Sequence, residues 1–348
     1  MSLVLPFDAW PEADRALWDD LFRPGGPLDD LGPLAHLRET SCATLRAHYG
    51  RWLGWLQAEN PEAMDLPPAD RASLERLGLW LEDLAHTRPM TQWSFVGDVV
   101  RVLSAAAPQV DWSGHLRLRA RLRRRAGAGD RSRKTGRVLS SRVLYKAGLR
   151  HATVDAAVAT TPLRRLKCAR DGLMVAFLAL IPIRRRAMVE MTLGQSLIVR
   201  SGHIDVDLSA DLAKTRVPWS CRVPEALDGL LRHYLSDVRP ELMARGGAAH
   251  DRVWVGDRGA PYQGDHFGSR IRDITLTLTG VRVGPHLFRD AAATTLARHS
   301  PRAARLIKPV LAHISEGTAE RHYIDASTIE AGRAFASVVA RRRKGFQP

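Results

Sequence analysis

The sequence predicts a mainly α protein: a helical N-terminal domain, then a mostly helical C-terminal domain with one small antiparallel β-sheet. Three observations carry this. Apolar residues recur at three- and four-residue steps over most of the chain, as in Leu45, Tyr49, Trp52, Leu53 and Leu56. Strict alternation of apolar and polar residues occurs mainly near His203-Ile-Asp-Val-Asp-Leu208. Between the helical blocks, a basic stretch runs into Ala126-Gly-Ala-Gly-Asp130, the composition of a flexible linker. The 348 residues, 45% hydrophobic, suffice for two cores.

Taken in order, residues 1–39 are rich in Pro, Gly and Asp and read as a loosely structured arm. Residues 40–127 form the first domain. A helix spans Thr40 to Glu59 and is stopped by Asn60-Pro61. Leu74, Leu77, Leu81 and Leu84 stripe a second helix, and a third covers Trp93 to Ala107 before Pro108. Leu116 to Arg125 reads as a basic helix end. Residues 128–348 form the second domain, with helices at Val138–Ala159 and Leu163–Ile181. Strands follow at Leu197–Arg200, His203–Leu208 and from Lys214 to Val223, with a turn near Asp211. Further helices are expected at Glu225–Val238, Gly264–Thr277, Arg289–His299, Pro301–Ala312, from Thr318 through Tyr323, and Ser327–Ala340.

Composition narrows the function classes. Three scattered cysteines, Cys42, Cys168 and Cys221, form no CxxC pair, which suits a reducing, cytoplasmic setting without a disulfide framework or cysteine zinc site. The longest apolar run, Gly172 to Ile183, is too short to span a bilayer. The N-terminus lacks the basic flank of a secretory signal. The formal charge is +15 and unevenly spread. Met1 to Gly114 holds 9 basic and 17 acidic residues, whereas His115 to Arg150 holds 13 basic and 1 acidic. A cationic strip of this kind suits a polyanion, most often nucleic acid. Arg121, Arg124, Arg131, Arg133 and Lys134 are its candidate DNA contacts, tracking phosphates between the two domains.

The chemistry-bearing residues lie in the C-terminal half. Arg184, Lys214, His286, Arg289 and His313 precede Tyr323 in order. Phosphoryl transfer without a metal needs a nucleophile, cations on the non-bridging oxygens, and an acid for the leaving oxygen. Arginine's planar fork fits phosphate, and a tyrosine needs positive surroundings to attack at neutral pH. The His-x-x-Arg pattern is weak alone, since it occurs at His48/Arg51, His286/Arg289 and His299/Arg302. Only the middle pair follows Gly284-Pro285 at a suitable distance from a tyrosine. No Asp/Glu cluster has metal-ligand spacing, so no metal or cofactor is expected.

From about Asp130 to the end, the chain resembles the tyrosine recombinases of the phage-integrase type. The segments carrying the resemblance are Pro182-Ile-Arg184-Arg-Arg-Ala-Met-Val-Glu-Met191, Ala213-Lys214-Thr-Arg216, Pro285-His286-Leu-Phe-Arg289-Asp290, Leu311-Ala-His313 and Thr318-Ala-Glu-Arg-His-Tyr323. The resemblance implies a core-binding domain over 40–127 and a catalytic domain over 128–348. Tyr323 would form a 3′-phosphotyrosyl link, Arg184 and Arg289 would clamp the scissile phosphate, and Lys214 would protonate the leaving 5′-oxygen. His286 and His313 would assist proton transfer. The implied partners are double-stranded DNA and three further copies in a homotetramer, with accessory recombinases or DNA-bending proteins as additional partners. Alternatives within this reading are a non-catalytic DNA-binding accessory protein of the same fold, or a type IB topoisomerase or resolvase. The chain departs from the family's pattern at Pro182, Ala187, Ala312 and Asp325; Ala187 stands where an acidic residue commonly follows the first arginine.

Overall fold

The structure, a computed structural model, describes residues 3–26, 29–127, 136–213, 217–246 and 248–311. The chain divides into two compact units, Met1–Arg131 and Ser132–Pro348.

In the first unit α1 (Glu12–Leu21), α2 (Glu39–Glu59), α3 (Pro68–Arg71), α4 (Leu74–Asp83), α5 (Pro89–Ala106) and α6 (Ser113–Ala126) surround a core rich in tryptophan. Trp52, Trp55 and Trp80 interlock there, with ring centroids 5.0 and 5.3 Å apart. Ser73 caps α4 by accepting from the backbone N–H of Arg76 at 3.2 Å.

The expectation of a loose arm over residues 1–39 is corrected. Trp10, Trp18, Leu21 and Leu34 are buried in the same core as α2. The Leu5 N–H donates to the Gly50 carbonyl at 2.9 Å, and a Cβ on Gly50 would stand only 2.6 Å from the Leu5 carbonyl oxygen. Glycine is thus what lets the N-terminal segment lie against α2. Asp14, fully buried on α1, accepts from Tyr49 Oη at 2.7 Å and pairs with Arg71. Burial, and then the Asp14 charge, hold the Tyr49 phenol well above its usual pKa.

In the second unit α7 (Ser141–Arg150) runs on through a π-helical turn, His151–Asp155, so the helix expected over Val138–Ala159 is present with a π-helical turn within it. Then come α8 (Pro162–Leu180) and α9 (Arg185–Glu190). The sheet follows: β1 (Leu197–Val199), β2 (Ile204–Leu208) and β3 (Trp219–Arg222), antiparallel in the order β1-β2-β3. Val206 faces Leu197 on one side and Cys221 on the other. The third strand thus begins at Trp219, later than the expected Lys214. Next are α10 (Glu225–His233), a second π-helical turn (Tyr234–Val238), α11 (Arg239–Met243), α12 (Gly264–Thr279), α13 (Pro285–His299), α14 (Pro301–Ala304) and α15 (Ile307–Leu311). The helix expected from Arg289 begins at Pro285, because a proline at the first helical position needs no N–H partner.

The apolar run of α8 is the axis of this unit: Leu173 through Ala179 are all buried. α7 crosses it at a glycine pair. A Cβ on Gly148 would lie 2.6 Å from the Ala176 nitrogen, and one on Gly172 would collide with the Ala152 backbone. Beneath the apolar layer lies a buried ionic network. The Arg170 guanidinium donates to Asp171 (2.7 and 2.9 Å) and to the Val255 carbonyl (3.0 Å), and pairs with Asp257 (2.8 Å). Arg270 binds the other Asp171 oxygen. This pins α8 to α12 and to the loop before Tyr262, whose ring lies 5.3 Å from the Arg170 guanidinium.

Candidate active site

The C-terminus of α8 delivers the first candidate. After Leu180 the buried residues Ile181, Pro182 and Ile183 turn the chain, and Arg184 becomes the N-cap residue of α9. The Arg184 side chain is half-buried, and burial lowers its pKa. Among the described residues its guanidinium has neither a hydrogen-bond acceptor nor a carboxylate partner. Its neighbours differ: Arg185 pairs with Asp265 at 2.9 Å and Arg186 with Glu190 at 2.9 Å, all on the surface. Of the three consecutive arginines, Arg184 alone lines the cavity described next.

α13 delivers the second pair. His286 stands exposed in its first turn. Arg289, one turn further on the same face, is only 6% exposed. Its Nη1 donates to the Pro182 carbonyl at 2.7 Å and its Nη2 to the Leu311 carbonyl at 2.5 Å. Arg289 therefore ties the turn before Arg184 to the end of α15. Burial, reinforced by the Arg184 charge and partly offset by Asp290, pushes its pKa down to about 10.

Arg184 and Arg289 meet at a cavity of about 20 Å³, walled by Ala187, Leu208, Ala213, Trp219 and Leu311 among others. That is room for about one water-sized group, such as one oxygen of a larger anion. Among the described residues no carboxylate lines it. Two partly desolvated guanidiniums that repel each other beside a largely apolar cavity form surroundings that favour an anion. Ala187, where a carboxylate would sit in the resembled pattern, is part of that wall.

Lys214, His313 and Tyr323 lie outside the described residues. The chain immediately before two of them reaches the cavity: Ala213 precedes Lys214, and Leu311 stands two residues before His313. Trp219 is a wall residue that sequence reasoning missed. Its only signal is its position opening the strand that follows Lys214.

The two other His-x-x-Arg pairs are held in other roles. His48 Nδ1 contacts Asp98 at 2.5 Å, and Arg51 lies over the Phe95 ring at 5.0 Å. His299 ends α13 and Arg302 lies in α14. On α6, Arg121 and Arg124 are exposed while Leu122 is buried, and Arg123 covers the Trp93 ring at 5.3 Å. The remaining strip candidates, Arg131, Arg133 and Lys134, lie outside the described residues. Among the described residues no group of His, Cys, Asp or Glu is arranged to hold a metal ion, and no helix is long and apolar enough to cross a membrane.

No protein-family model matches the chain, and no curated protein matches it by sequence. Solved structures do match by fold. The XerH site-specific recombinase bound to difH substrate, in a pre-cleavage complex, superposes with a TM-score of 0.52 at 14% identity, covering 82% of this chain and 77% of that one. XerH bound to a palindromic difH substrate, in a post-cleavage complex, gives 0.54 at 14% identity, covering 86% and 80%. A lambda integrase dimer bound to a COC′ core site gives 0.50 at 15% identity, covering 83% and 90%. In a mainly helical chain with a three-stranded antiparallel sheet beside paired arginines, these likenesses identify the fold as that of the tyrosine recombinases.

Proposed function

We propose that this protein is a site-specific DNA recombinase that cuts and rejoins strands through a covalent phosphotyrosine, with Tyr323 as the nucleophile. One observation carries the reading: Arg184 and Arg289 meet at a largely apolar cavity that, among the described residues, no carboxylate lines. A scissile phosphate entering between the two guanidiniums would relieve their repulsion and receive their hydrogen bonds.

In the proposed reaction Tyr323 Oη bonds to phosphorus while the bond from phosphorus to the 5′-oxygen breaks. The phenol proton leaves to a histidine, His286 or His313. Lys214 gives a proton to the departing 5′-oxygen. The product is a 3′-phosphotyrosyl link and a free 5′-hydroxyl. A 5′-hydroxyl from a second duplex reverses the steps and exchanges strands, so neither ATP nor a metal is consumed. Arg121, Arg124, Arg131, Arg133 and Lys134 are proposed to follow the duplex backbone. XerH and lambda integrase were each crystallised on DNA, and the same class of partner is proposed for this chain, acting as a homotetramer on two duplexes.

A nicked suicide substrate in EDTA tests this. The short fragment bearing the new 5′-hydroxyl diffuses away after cleavage, so the covalent adduct accumulates. The adduct is expected with the native chain and absent with Tyr323→Phe. Its persistence in that variant, or a requirement for a divalent metal, would contradict the proposal.

A further inference from the structure

We infer a second anion site, remote from the arginine cavity, in the groove between α8 and α12, suited to the phosphate or pyrophosphate group of a small phosphorylated molecule. The groove encloses about 340 Å³, within the range of small-molecule pockets. Arg164, Lys167, Cys168 and Asp171 line one wall at helical spacing. Arg270, Asp273, Ile274, Thr277 and Leu278 line the other, and His151 closes one end.

Which charges are already matched decides the chemistry. Each nearby carboxylate has a cation. Asp171 is held by Arg170 and Arg270, Asp257 by Lys167 (2.6 Å) and Arg170, Asp273 by Arg282 (2.9 Å), and Asp155 by Arg150 (3.7 Å). Arg164 has no such partner among the described residues. The Nε of Arg270 is buried and also lacks an acceptor. A buried donor without an acceptor carries an energetic penalty that a ligand oxygen would remove. Arg164 lies in the first turn of α8, where the helix dipole adds potential of the same sign. The groove therefore offers a ligand oxygen the exposed Arg164 guanidinium and the buried Nε of Arg270. Ile274 and Leu278 offer apolar surface for the body of the ligand.

The groove is not an extension of the arginine cavity. Arg164 and Leu180 lie at opposite ends of α8, about 24 Å apart at the helical rise. Arg184 follows beyond Leu180. A phosphate bound at Arg164 is therefore not the one held by Arg184 and Arg289.

The test uses the full chain and inorganic pyrophosphate, followed by calorimetry at low ionic strength. Arg184→Gln, which cripples the first cavity, should keep pyrophosphate binding at the groove. Adding Arg164→Gln to it should weaken that binding at least tenfold, while the ligand-free melting temperature stays unchanged because Arg164 is exposed. Short duplex DNA should not displace the pyrophosphate. The inference is overturned if binding vanishes in Arg184→Gln alone, if it survives unchanged in the double variant, or if DNA displaces the ligand.

Discussion

Replacing Arg289 with methionine separates the proposed catalytic role of the arginine pair from its structural one. The side chain is 6% exposed and donates to two carbonyl oxygens, of Pro182 and Leu311. Losing two hydrogen bonds from a charged donor costs about 3–6 kcal/mol. Against this stands the cost of keeping the charge buried. Its pKa falls from above 12 to about 10, which corresponds to roughly 3 kcal/mol at neutral pH. The sign follows from linkage. The unfolded chain holds this proton more tightly, so the destabilisation is fully present at neutral pH and is relieved as pH rises through about 10. The net loss is therefore about 0–3 kcal/mol, a fall in Tm of less than about 10 °C. The same substitution removes half of the proposed phosphate clamp, worth about 10²- to 10³-fold in rate. Single-turnover cleavage and thermal melting of Arg289→Met should thus diverge: a folded protein that binds DNA and cleaves at least a hundredfold more slowly. Cleavage within tenfold of the native rate would refute the clamp. A fall in Tm beyond about 15 °C would refute the stability argument.

Three further outcomes are expected. Arg184→Ala should lower single-turnover cleavage about a hundredfold or more, whereas Arg185→Ala and Arg186→Ala, whose partners Asp265 and Glu190 are on the surface, should stay within a few-fold. Deleting residues 1–22 removes the buried Trp10, Trp18 and Leu21, about 5 kcal/mol or more of apolar burial; the first unit should lose its cooperative melting transition, and retention of that transition would count against its packing. Gly172→Ala should cost about 2 kcal/mol or more, read from urea denaturation, because the new methyl meets the Ala152 backbone where α7 crosses α8.

How much of this was legible in the sequence differs between elements for physical reasons. The helices of the first unit and the three strands could be read because apolar period reports a buried face directly. Residues 1–39 were misjudged because the buried face of α1 includes an acid. Asp14 sits with Trp18 and Leu21, and its compensating partner, Arg71, lies 57 residues away. Periodicity counts Asp14 as polar, and only the fold supplies the cation. The Arg170–Asp171–Arg270 network was hidden for the same reason, since charged residues inside an apolar helix become intelligible only when their partners on α12 are known. At the site, the resemblance pointed to Arg184 among three consecutive arginines, and Gly284-Pro285 to the middle His-x-x-Arg of three. Trp219 was missed because nothing in its neighbours marks a strand residue as facing a cavity. The fold shared with XerH and lambda integrase at 14–15% identity makes the same point: packing patterns outlast residue identity.

The central claim is that Tyr323 carries the covalent bond to DNA, and locating that bond tests it most directly. Adducts trapped on a nicked suicide substrate would be digested with nuclease and trypsin and the peptides weighed by mass spectrometry. A nucleotide remnant is expected on the peptide of residues 322–333, between the cleavage sites after Arg321 and Arg333. A remnant on a peptide bearing Tyr145, Tyr234 or Tyr262 instead, or no covalent remnant despite strand cleavage, would contradict it.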